Sequence, residues 1–108
     1  MAINSIHQPQ TMTFSGDTTY YTPGLGACGQ THTGADHVAA LAAAQYGHGA
    51  NANQAAVCGR QIRIHCGGES ATATVVDNAS GSVDVSPAVF RQLASLDEGQ
   101  VEVVWEFI

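Results

Sequence analysis

Apolar and polar residues alternate most regularly in the second half of the chain. Gln61, Arg63 and His65 alternate with Ile62 and Ile64, which is the period of a half-buried strand. Gly67-Gly68 follows as a two-residue hairpin signal. Residues 70–77 (SATATVVD) read as the partner strand, with Ala71, Ala73 and Val75 on one face. Residues 78–82 are a loop of small residues. Ser86-Pro87 then opens a helix, Ser86 as N-cap and Pro87 at the first helical position. Val89, Phe90 and Leu93 form its apolar stripe, and Asp97-Glu98-Gly99 closes it. Residues 100–108 (QVEVVWEFI) read as a last strand. In it Val101, Val103, Trp105 and Phe107 alternate with Glu102 and Glu106, which assigns Trp105 to the core.

The first half is less periodic. Residues 1–15 show no period and read as an extended N-terminal segment, leaving 16–108 as the folded domain. Residues 17–22 (DTTYYT) are β-branched and aromatic and read as a strand. Tyr20 and Tyr21, adjacent on it, point to opposite faces, one to the core and one to solvent. Pro23-Gly24 makes a turn, and Gly26 and Gly29 keep the following stretch a loop. In residues 37–46 (HVAALAAAQY) the five alanines favour a helix, while 38–41 can also begin a strand. Gly47 and Gly49 end that segment. With 108 residues there is one domain. Several strands with non-local pairing and one or two short helices suggest a small, mostly-β barrel with closed edges.

Charge narrows the partners. The net charge is −6, there is no lysine, and the only strong cations are Arg60, Arg63 and Arg91. That excludes a nucleic-acid footprint and electrostatic attachment to anionic lipid. No apolar run is long enough to cross a bilayer. Charged residues make up 11%, against roughly 25% in an ordinary soluble domain. Gly, Ser, Thr, Asn and Gln must therefore carry solubility, as on extracellular proteins that meet neutral polysaccharide. The first fifteen residues have neither a basic nor an apolar signal region, so no signal peptide is visible.

Catalytic and metal motifs are sparse. His7, His32, His37, His48 and His65 show no ligand spacing, so no metal site and no cofactor is expected. No nucleophile motif of the G-x-S-x-G kind occurs. The three cysteines, Cys28, Cys58 and Cys66, leave at least one thiol unpaired within the chain.

The segments GDTTYYTPGLGACG, VCGRQIRI, ATATVVD and VDVSPAVFRQLASLDEGQVEVVWEFI stand in the order found in six-stranded double-psi β-barrels. Over residues 16–108 the chain resembles single-domain barwin/expansin-like proteins of fungi and bacteria, and is similar to the barrel of the rare-lipoprotein-A type. The most specific stretch is the aspartate, the Ser-Pro, the short helix, the glycine and the strand with Trp105. This resemblance implies a six-stranded double-psi β-barrel with one or two short helices. It also implies a polysaccharide groove lined by Thr19, Asp77 and Asp84, with Tyr20 or Tyr21 beside it to stack on a sugar ring. It pairs Cys28 with Cys58 and leaves Cys66 free. The alternative role for the two aspartates is local, accepting backbone hydrogen bonds in the loops they open.

What the resemblance implies about function is a secreted, monomeric protein. Such a protein binds cell-wall polysaccharide of the cellulose, chitin or xylan kind without hydrolysing it, and has no catalytic residue. Two features depart from the pattern. The loop after Asp77 is short and lacks cysteine, and Ala79 stands where relatives carry a stacking aromatic. They favour the alternative, a protein-binding module such as a cysteine-protease inhibitor or an effector. The polar loops at 23–34 and 47–57 would be its contact segments. A further alternative is a weak glycoside hydrolase or lytic transglycosylase using Asp77 and Asp84. Asn78-Ala79-Ser80 is an N-glycosylation sequon beside Asp77.

Overall fold

The alternating segments fold as strands and fix the rest of the architecture. The computed structural model describes residues 13–42, 57–79 and 82–108. Strands β3 (Gln61–Cys66) and β4 (Glu69–Ala79) form the antiparallel hairpin. Gly67 turns it with φ +60°, a backbone region that disfavours any side chain. Ile62 and Ile64 face Ala73 and Ala71 across the pair, and all four are buried. Strand β6 (Gln100–Phe107) pairs antiparallel with both β3 and β1 (Thr13–Tyr20).

Three residues read as part of the leading segment therefore belong to a strand. Phe14 is their contribution to packing, with its ring stacked on Trp105 at 4.5 Å. Trp105 is buried, as its alternation requires. Such a stacked pair adds about 0.5–1.5 kcal/mol beyond its buried area.

Strand β2 (Val38–Ala42) corrects the helix suggested by the alanines. It lies between β4, to which it is parallel, and β5 (Val83–Val85), to which it is antiparallel. Val38, Ala39, Ala40 and Leu41 are all buried. A strand covered on both faces loses its alternation, and small side chains suit the crowding. Residues 43–46, the rest of the expected helix, lie outside the described residues, as do His7, His48 and the loop 47–56.

The strands close in the order β1-β5-β2-β4-β3-β6, a six-stranded barrel with no free edge. Helix α1 (Pro87–Leu93) packs Val89, Phe90 and Leu93 onto it. Ser86, itself buried, caps the helix by accepting from the Val89 amide. The helix stops at Leu93, earlier than the sequence suggests. Ala94 is extended, and Ser95 starts a separate 3-10 turn over Leu96–Glu98 by accepting from the Asp97 amide. A disulfide joins Cys28 to Cys58 with a Cα–Cα distance of 5.7 Å. Cys66 is free and partly buried.

Candidate functional site

The parallel pairing of β1 with β5 sets Thr19 beside Asp84. The Thr19 Oγ1 donates to Asp84 Oδ1 at 2.5 Å. Its neighbour Thr18 points inward and is fully buried, with its hydroxyl donating to the Val83 carbonyl at 2.8 Å. Among the described residues, Asp84 is thus held by a side-chain hydroxyl rather than by backbone amides.

Asp77 reaches the same region through an irregularity in β4. Ala39 pairs with Val75 but Ala40 pairs with Asp77, so Val76 is an extra residue in β4. A bulge of this kind re-aims the side chains that follow it. The Val76 carbonyl accepts from the Cys28 amide at 3.1 Å. Asp77 Oδ1 accepts from the amides of Ala27 and Asn78, both at 2.8 Å. The loop after β1 therefore lies tightly across the bulge. At Gly26 an added Cβ would collide with the Val76 carbonyl oxygen and crowd the Asp77 carboxyl. For Asp77 the local role, accepting backbone amides, accounts for one oxygen.

Tyr21 completes the cluster. Its amide continues the β1–β5 pairing by donating to the Val85 carbonyl at 3.0 Å. Its hydroxyl is buried without a hydrogen-bond partner among the described residues. Burial pushes the phenol up to about 12, and the negative charges of Asp77 and Asp84 push in the same direction. The phenol is therefore an uncharged hydrogen-bond donor in the field of two carboxylates.

Tyr20 does not join this group. Its ring meets Phe90 edge-on at 4.8 Å and its hydroxyl donates to the Leu96 carbonyl at 3.0 Å. Although 37% exposed, it ties the 3-10 turn to the barrel rather than offering a free stacking face. Tyr21 is half-buried. Gln100, which no motif in the sequence singles out, lies opposite Thr19 and donates from Nε2 to Asp17 Oδ2 at 2.9 Å. The even spacing of Asp17 and Thr19 along one strand was the available signal.

Among the described residues no group of three or more His, Cys, Asp or Glu side chains is arranged to hold a metal ion. Two aspartates that both pair with Ala40 of β2, a threonine hydroxyl on one of them and the Tyr21 phenol near both form instead a set of acceptors and donors. Such a set matches neighbouring hydroxyl groups on a ligand.

No protein-family model matches the chain. Among curated proteins it is similar to an allergen Asp f 7 homolog of Arthroderma benhamiae, 36% identical over 84 residues. That match takes in 73% of this chain but 28% of the relative, so the chain spans little more than a quarter of that protein's length. Among solved structures, the Streptomyces papain inhibitor superposes with a TM-score of 0.82 at 30% identity, covering 90% of this chain and 94% of that one. A mutant expansin of Clavibacter michiganensis in complex with cellohexaose superposes with a TM-score of 0.74 at 20% identity, covering 90% of this chain and 50% of that one. At that identity the likeness is one of fold. With its closed six-stranded barrel and these relatives, the chain belongs to the barwin/expansin-like double-psi β-barrel proteins.

Proposed function

We propose that the chain is a secreted, non-hydrolytic polysaccharide-binding barrel whose groove is formed by Thr19, Tyr21, Asp77 and Asp84. The observation that carries this reading is the Tyr21 hydroxyl, buried without a partner among the described residues and within the electrostatic reach of Asp77 and Asp84. A buried donor left unpaired costs about 1–3 kcal/mol, and an ordered water that links it to a ligand hydroxyl recovers part of that cost. The aspartates beside it remain acceptors for the donating hydroxyls of the same ligand.

Each aspartate receives its hydrogen bonds on Oδ1, Asp84 from Thr19 and Asp77 from two amides, so each keeps a second oxygen that can accept from a ligand hydroxyl. The disulfide supports an oxidising, extracellular setting.

A second reading has its own support. The papain inhibitor of Streptomyces is similar over nearly its whole length. The 23–36 loop is braced as an inhibitory loop needs to be. Gly26 N donates to the Gln30 carbonyl, His32 N to the Gly24 carbonyl, and the disulfide anchors its centre. Leu25, 75% exposed, stands on that rigid frame. In this reading the loop enters a protease cleft.

One experiment separates the two. The wild-type chain and Asp84→Ala are incubated with insoluble cellulose, chitin and xylan, and both are titrated against papain. The groove reading expects retention on at least one polysaccharide, lost in Asp84→Ala, with no reducing ends released. No retention on any of the three overturns it. Tight papain inhibition that survives Asp84→Ala establishes the second reading.

A further inference from the structure

A cavity of about 400 Å³ opens on the outer surface where β1, β6 and β3 run side by side. Ser15, Asp17, His65, Gly67, Glu102 and Val104 line it. None of these belongs to the groove of Thr19, Tyr21, Asp77 and Asp84. We propose that this cavity is a second subsite of the groove, so that the barrel takes an extended, uncharged glycan lengthwise along β1. The proposal rests on the groove reading.

Register carries the argument. Side chains two apart on a strand share a face. Ser15, Asp17 and Thr19 therefore form one outward row on β1, and the backbone pairing that extends to Tyr21 carries the row into the groove. From Ser15 to Tyr21 the row spans roughly 20 Å. Across β1 and β6 it is matched by Val104, Glu102 and Gln100 in the same order, and His65 of β3 stands beyond Val104. Gln100 links the two halves. It lies opposite Thr19, which holds Asp84, and its side chain donates to Asp17 at the cavity.

The lining fits a sugar chain. Asp17 and Glu102 face each other directly across the antiparallel pair, where like charges destabilise a sheet. Two adjacent carboxylates become favourable when ligand hydroxyls donate to them. Val104, 42% exposed, supplies an apolar floor for the C–H face of a ring. His65, within 3.4 Å of Glu106 Oε2, adds a polar side wall. No lysine or arginine lines the cavity, so uronic-acid polymers are repelled and uncharged glycans are admitted.

The test is calorimetric binding of cello-, xylo- and chito-oligosaccharides of three and six units. The proteins are wild type, Glu102→Ala, Ser15→Trp and Asp84→Ala, each checked for the wild-type near-ultraviolet circular dichroism spectrum. Ser15→Trp fills the cavity, and Glu102→Ala removes one acceptor. For at least one series, wild type should bind the six-unit ligand more tightly than the three-unit one. Glu102→Ala and Ser15→Trp should each lower six-unit affinity by roughly tenfold, the worth of one hydrogen bond to a charged group, and leave three-unit affinity unchanged. Asp84→Ala should weaken both lengths.

The second subsite is overturned if wild type binds both lengths equally. It is also overturned if the two cavity variants keep the wild-type ratio, even while Asp84→Ala abolishes binding and so upholds the groove. If wild type binds no oligosaccharide, the groove reading falls and the second subsite falls with it.

Discussion

Tyr21 shows how much a single side chain depends on its surroundings. Its hydroxyl is removed from water, and both nearby aspartates oppose a second negative charge. The folded state therefore resists ionising a phenol that the unfolded chain ionises at about 10. A group whose folded value is raised contributes stability that is intact below the unfolded value and is lost as pH climbs toward the folded one. For Tyr21 the window runs from about 10 to about 12. Wild type should lose stability across that window in urea denaturation at stepped pH. Tyr21→Phe should lose measurably less, and identical slopes for the two proteins would contradict the burial described. The sequence made the two tyrosines distinguishable only as opposite faces of a strand. Which face was the groove depended on β5, whose three residues Val83–Val85 reach β1 across 65 positions of chain.

At the scale of elements, legibility followed exposure. Strands β3, β4 and β6 each have one wet face, so their alternation is written in the residues. Strand β2 has none, and its alanines suggested a helix because nothing polar marked an outer side. The extra residue Val76 in β4 left no trace in the sequence either, yet it brings Asp77 to the groove. What did leave a trace is the glycine that crosses it. Gly26 has a φ that any residue can adopt, so its requirement is space, not conformation. Gly26→Ala must push the loop off the Val76 carbonyl and disturb the Ala27–Asp77 hydrogen bond. Overpacking of this kind costs about 1–3 kcal/mol, which lowers the melting temperature by roughly 4–8 °C per kcal/mol in a domain of this size. Differential scanning calorimetry checks this, and an unchanged melting temperature would mean the loop sits more loosely than described.

For the molecule as a whole, closure joins the first and last of the described strands. The first described strand, β1, pairs along its length with the last, β6, so the barrel is complete only when its most distant segments meet. Such non-local pairing must overcome loop entropy before any contact rewards it. The Cys28–Cys58 bond offsets part of this, since it fixes two segments 30 residues apart. It ties the loop after β1 to the approach to β3, with Gly59 N donating to the Val75 carbonyl just beyond it. Closing a loop of that length removes entropy from the unfolded chain worth about 3–4 kcal/mol in the chain-entropy model. That is a large part of the ~5–15 kcal/mol by which a domain is usually stable. The double variant Cys28→Ser/Cys58→Ser should therefore unfold at markedly lower urea than wild type. Cys66→Ser should unfold at the wild-type midpoint, because Cys66 closes no loop. Reductant should shift wild type and Cys66→Ser equally and leave the double variant where it was. A reductant-sensitive midpoint in the double variant would instead mean that Cys66 makes a cross-link of its own between molecules.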